Sequence, residues 1–332
     1  MKNKHLFIKY LAAITLYLFC PFIPEQAQAQ STETAQVEGC SLELTENEII
    51  IAGGSGNQGC NFKYKLRDKK TEYSIAFNII PDDQSYRTGA KESSVYVFDS
   101  NGGKVYEQKV GFTAGTAIQS LTVSLKNLYE KNQASLVIED RVSGMGSCGA
   151  GDLDITVYDQ NLPDKLYRLG EGILKGGSQD GGFSQCTEFK DIDNNGIIEI
   201  VTSDTRFYYA FGERTYLYPP QIIALTPNGF QDVTLNYPDF LRTEAKHSWD
   251  EVITRRQEVS NSCPNYFSEI GNYAAIKSML GEYPDAIRRI EERINMDLAF
   301  HRLYNCYQPY IPADINTFIP DLEAVLSENG YI

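Results

Sequence analysis

The feature that most constrains this chain is a change of hydrophobic period near Pro238. Before it, short runs rich in Ile, Val, Tyr and Phe alternate with Gly, Asn and Asp turns, the period-two signature of β-strands. After it, apolar residues recur at helical spacing. Ala245, Trp249, Val252, Ile253 and Arg256 share one face, and Ile287, Ile290, Ile294, Leu298 and His301 share another. The fold class expected is therefore α+β: a β-rich N-terminal part, a sandwich or propeller-blade-like set of antiparallel sheets, followed by a helical region of about four helices over 238–332.

Within the β part, strands are expected over Glu48–Ala52, Asn61–Leu66, Tyr73–Ile79, Ser94–Phe98, Val105–Val110, Leu121–Leu125, Ser135–Glu139 and Leu153–Tyr158, which makes 40–160 a β domain. Asp99-Ser100-Asn101-Gly102-Gly103 between two of these runs is hairpin turn chemistry. A second group (Thr187–Asp191, Ile197–Thr202, Phe207–Phe211, Gln221–Leu225 and Phe230–Thr234) is expected as a small meander or single blade within 161–237. In the helical part Tyr266–Leu280 reads as a middle helix. Pro284 suits a helix first turn, and Gly330 ends a last helix around Leu322–Leu326.

The start of the chain reads as an export signal. Lys2, Lys4 and Lys9 precede an apolar run from Leu11 to Ile23, and Ala27-Gln28-Ala29 offers the small-x-small site cut by signal peptidase, so 1–29 is expected to be a removable signal peptide. Phe19 stands where a lipoprotein signal at Cys20 needs a small residue. Residues 30–39 read as a flexible leader. The destination expected is secreted or periplasmic, with no membrane span in the mature chain. Six of the seven cysteines then remain, Cys40, Cys60, Cys148, Cys186, Cys263 and Cys306, an even number that suits disulfides. Fifteen pairings are open. Nearest-neighbour pairing joins Cys40–Cys60, Cys148–Cys186 and Cys263–Cys306.

The whole chain carries 30 basic and 44 acidic residues and a net charge of −14. Losing Lys2, Lys4, Lys9 and Glu25 with the signal leaves 27 and 43, a net −16. Such a surface repels nucleic acid and anionic lipid and suits cations. Gly144-Met145-Gly146-Ser147-Cys148-Gly149 matches a dinucleotide fingerprint, but an alternating strand pattern follows it where that motif needs a helix. It reads as a hairpin tip. The same holds for Gly53-Gly54-Ser55-Gly56 and Gly176-Gly177-Ser178, none of which continues into the Gly-Lys-Ser/Thr of a phosphate loop. His247 and His301 have no adjacent nucleophile, and no catalytic residue is assigned. The aromatic stretch Tyr216-Leu217-Tyr218-Pro219-Pro220, with Tyr208-Tyr209, suits sheet packing or a stacking groove for glycan or peptide.

One stretch carries chemistry. In Phe189-Lys190-Asp191-Ile192-Asp193-Asn194-Asn195-Gly196-Ile197-Ile198-Glu199, oxygen ligands stand at Asp191, Asp193, Asn195 and Glu199, and Ile197 can add its carbonyl. Calcium takes six to eight oxygens at about 2.3–2.6 Å in flexible geometry. Thr202 at the twelfth position and the β-forming Ile197, Ile198, Ile200 and Val201 rule out an EF-hand. The loop resembles that of FG-GAP or VCBS-type repeats, Asp-x-Asp-x-Asp/Asn-Gly-x-x-Asp/Glu entering a strand, over about residues 187–204. It is present in one clear copy, where a full propeller carries several. The resemblance implies a structural calcium ion on Asp191, Asp193, Asn195, Ile197 and Glu199; the other reading is an acidic hairpin turn without metal. The function expected is an exported, non-catalytic binding or structural module, its partner an unknown protein or glycan. The rival is a secreted hydrolase of cell-wall or extracellular glycan using two facing carboxyls.

Overall fold

The structure, a computed structural model, describes residues 33–37, 40–45, 47–52, 60–67, 72–79, 93–99, 102–110, 118–143, 153–170, 173–175, 187–207, 218–255, 266–296 and 318–332. The signal peptide, the side chains of all six mature cysteines, the three glycine-rich stretches, Tyr208–Leu217, Leu298 and His301 lie outside the described residues. The α+β class holds, with antiparallel sheets first and helices mostly C-terminal.

The centre is a seven-stranded sheet. Its members are β1 (Glu33–Val37), β2 (Cys40–Leu44), β3 (Glu48–Ala52), β8 (Ile118–Glu130), β9 (Gln133–Ser143), β10 (Leu153–Tyr158) and β11 (Leu166–Leu169), in that spatial order. β4 (Cys60–Arg67), β5 (Glu72–Ile79), β6 (Ser93–Phe98) and β7 (Lys104–Val110) form a four-stranded sheet that packs on one face. Leu121, Val123, Leu136 and Ile138 meet Leu66, Ile75, Phe77, Val95 and Val97 in that interface. The other face meets a third sheet, β12 (Glu188–Lys190), β13 (Glu199–Ser203), β14 (Pro220–Thr226) and β15 (Gly229–Asp232). There Leu128, Val137, Ile155 and Val157 meet Ile200, Ile223, Leu225 and Phe230. Burial on both faces explains the unbroken run Ala134–Glu139: even positions serve one core and Val137 the other.

Four differences from the sequence reading have physical causes. Residues 33–37, expected in a loose leader, form an edge strand registered on β2. β11 extends the seven-stranded sheet by pairing with β10, so the expected boundary at 160 falls inside a sheet. Of the strand expected over 207–211 only Phe207 is described, and it closes a 3-10 turn, Thr205–Phe207, because the Asp204 carboxylate takes the Arg206 N–H at 3.1 Å. Ile253 is 39% exposed, one step outside the stripe Leu241–Ala245–Trp249–Val252.

The helices are α1 (Pro238–Arg255), α2 (Tyr266–Met279), α3 (Tyr283–Met296) and α4 (Phe318–Glu328). Trp249, Val252 and Ile290 are buried as expected and Ile287 is partly buried; the side chain of Ile294 lies outside the described residues. The helical core includes Phe207 and Tyr218, so the helices pack on the third sheet. At the end of α4, Gly330 takes φ 74°, and the N–H groups of Gly330 and Tyr331 reach the carbonyls of Ser327 and Leu326. That turn sends the Tyr331 side chain to Phe207, edge-on at 5.4 Å, and its hydroxyl to Asp204 at 2.8 Å. No helix of the described residues is long and apolar enough to cross a membrane.

Candidate metal centre

The acidic loop joins β12 to β13, whose register places Lys190 opposite Glu199 and leaves 191–198 to close the hairpin. Asn194 (φ 59°) and Gly196 (φ 89°) supply two left-handed residues that curl the chain. The curl turns N–H groups inward onto carboxylates. Asp191 accepts from Asn195 N–H at 3.0 Å and from Gly196 N–H at 2.9 Å, and Asp193 accepts from Asn195 N–H at 3.2 Å. Glu199 accepts from Ile192 N–H at 3.1 Å across the loop mouth.

Three of the five expected ligands converge: one carboxylate oxygen each of Asp191, Asp193 and Glu199 lies within 4.8 Å of the others. Asn195 and Ile197 belong to the same turn, with Asn195 Oδ1 accepting from Ile197 N–H at 2.6 Å. That oxygen has a second lone pair for a further partner. Asp193 and Asn195 are exposed, Asp191 is half-buried, and Glu199 is only 2% exposed. The arrangement suits a hard cation held from one buried side, with water completing the open side.

Burial dominates the electrostatics of the loop. Burial pushes the Glu199 carboxyl above the usual range, and the negative Asp193 adds to this; hydrogen bonds from Ile192 and Tyr237 pull the other way without cancelling it. Tyr237, the residue before α1, is itself pushed up by burial, by its hydrogen bond to Glu199 and by the three carboxylates around it. The folded state therefore keeps a proton on Glu199 to higher pH than the unfolded chain does. The stability linked to that proton is complete below the unfolded carboxyl pKa and is lost as pH rises through the folded one. In chelator, Glu199→Gln is expected to raise the melting temperature at pH 7 and to flatten this acid-side dependence. A melt series in chelator checks it; an unchanged pH profile contradicts it.

Three contacts reach the loop from far along the chain. Ile198 N–H donates to Asn127 O at 2.7 Å. The Lys131 stem covers Gly196 so closely that a Cβ there would stand 2.8 Å from Lys131 Cε. Tyr237 brings in the helical layer. Sequence reasoning missed all three, because Asn127 and Lys131 reach the loop only through packing of the long β8–β9 hairpin against the third sheet, and Tyr237 only through the return of the chain after β15. Among protein-family models, curated proteins and solved structures, none matches this chain.

Proposed function

We propose that this chain is an exported, non-catalytic binding or structural module, secreted or periplasmic, whose layers are held by one calcium ion and by disulfides. The observation that carries the reading is the meeting of Asp191, Asp193 and Glu199 around a point that is buried on the Glu199 side. Three carboxylates so close repel one another unless a cation sits among them. Asn195 Oδ1 and the Ile197 carbonyl complete the proposed ligand set, with water in the remaining positions. The loop is proposed to be of the FG-GAP or VCBS type, used once.

A structural role suits the position. The loop touches the β8–β9 hairpin through Asn127 and Lys131 and the start of α1 through Tyr237, so an ion there would brace the central sheet, the third sheet and the helices together. Calcium that binds only the native state stabilises it by RT ln(1 + [L]/Kd), about 2.7 kcal/mol at a hundredfold excess over Kd. The wild-type melt is expected to rise in calcium relative to chelator, and to rise less in magnesium, which demands tighter octahedral geometry. Asp193→Ala, at an exposed position, is expected to remove the calcium shift and keep the fold. Equal melts in calcium and chelator defeat the reading.

A further inference from the structure

The outer face of the β4–β7 sheet carries more basic than acidic side chains among the described residues, on a protein that is acidic as a whole. On β4, Tyr64 and Leu66 turn toward the core, while Lys63, Lys65 and Arg67 stand exposed on the opposite face. On β6, Val95 and Val97 are inward and Tyr96 and Phe98 outward. The middle of β5, between them, presents the small side chains Ser74 and Ala76 there, with Glu72 and Asn78 at its two ends. Ala76 lies between Lys63 and Tyr96, and Ser74 between Lys65 and Phe98, in the pairing register. The result is a shallow trough along β5, with a basic ridge on one side and an aromatic ridge about two strand spacings away, roughly 9.6 Å.

The charge on this face opposes that of the chain. Lys63, Lys65, Arg67 and Lys104 meet two carboxylates, Glu72, which pairs with Lys65 and Arg67 at 2.6 Å each, and Glu107, which pairs with Lys104 at 2.6 Å. Lys63 has no carboxylate partner among the described residues. Its ammonium lies 6.0 Å from the Phe98 ring centroid, and that of Lys104 lies 5.6 Å from Tyr96. These contacts set one cation on each ring of the aromatic ridge, Lys63 from the β4 side and Lys104 from β7. Among the described residues, four cations against two carboxylates leave two positive charges here, on a chain of net −14.

We propose that this trough binds an acidic polysaccharide, a uronate-bearing chain laid along β5. Its carboxylates would meet Lys63, Lys65 and Arg67, its hydroxyls Ser74, and its ring faces Tyr96 and Phe98. Charge complementarity selects an anion. The negative charge of the whole chain disfavours a polyanion as dense as duplex DNA, with a charge every ~1.7 Å, more than a glycan with one carboxylate per sugar. Ring faces on aromatic side chains favour a sugar chain over an acidic peptide. This site stands apart from the calcium loop and does not depend on it.

The test is calorimetric titration of the full mature chain with oligogalacturonate at low salt in chelator, which removes calcium bridging. A neutral galacto-oligosaccharide, an acidic peptide and oligo(dT) serve as comparison probes. Wild type is expected to bind oligogalacturonate better than any of the three, with affinity falling as salt is added. Lys63→Glu with Arg67→Glu is expected to weaken it about tenfold, and Tyr96→Leu to weaken it with an unchanged melt. The proposal is overturned if wild type does not bind, if the charge-reversed variant binds equally, or if a comparison probe binds as tightly. Should Tyr96→Leu not fold, Lys63→Gln at its exposed position still tests the charge, and equal binding by it overturns the proposal.

Discussion

Asp204→Ala is expected to destabilise the fold by roughly 3–5 kcal/mol, the range for removing one partner of a buried charge pair. Asp204 is fully buried where β13 ends. Its carboxylate accepts from Arg206 Nε at 2.8 Å, from Arg206 N–H at 3.1 Å and from the Tyr331 hydroxyl at 2.8 Å. Arg206 is one-third exposed on its side chain, so water compensates part of its loss and the lower end of the range is expected. The Tyr331 hydroxyl is more deeply placed, and burial with the neighbouring Asp204 charge pushes its pKa up. Asp204→Asn keeps an acceptor for that hydroxyl and is expected to cost less than Asp204→Ala. Denaturant unfolding of both variants checks this order. If Asp204→Ala unfolds at the wild-type midpoint, the contact between the end of α4 and the third sheet contributes nothing.

Trp249→Ala should be at least as damaging, at roughly 3–5 kcal/mol. The indole is 5% exposed between α1 and α2, with its ring 4.7 Å from that of Tyr273 and the Arg289 guanidinium 4.4 Å above it. Deleting it removes the largest side chain of the helical core and leaves a cavity that Ala245, Val252 and Ile270 cannot fill without moving the helices. Arg289→Ala, by contrast, takes away an exposed cation–π contact of about 0.5–1 kcal/mol. A small loss for Trp249→Ala would mean that α1 and α2 do not pack through this residue.

The parts of this molecule legible in its sequence are those set by local periodicity. Strands β4, β5 and β6 fall where alternation places them, because each buries one side chain in two against a core, and β9 and β10 are legible as apolar runs that are buried on both faces. The end of the last helix is legible at Gly330, because glycine takes the left-handed φ of a helix stop without strain, and it does so here at 74°. Strand β11 escaped because Leu166-Tyr167-Arg168-Leu169 is four residues long and buries only Tyr167 and Leu169. Strand β1 escaped because its polar sequence, Glu-Thr-Ala-Gln-Val, is tolerated at a sheet edge. The carboxylates of the loop could be read from their spacing, and three of them do meet. Tyr237 and Lys131 could not, since they stand 38 and 65 residues from Glu199 and Gly196 and arrive only through tertiary pairing.

The central claim is that the β12–β13 loop holds calcium, and the most direct measurement is equilibrium binding of calcium to the mature chain, first stripped with chelator. One ion per chain is expected, with binding lost in Asp193→Ala and in Glu199→Gln while both variants keep the wild-type circular dichroism spectrum. No saturable calcium binding by the wild type, or binding that survives both substitutions, would contradict the account.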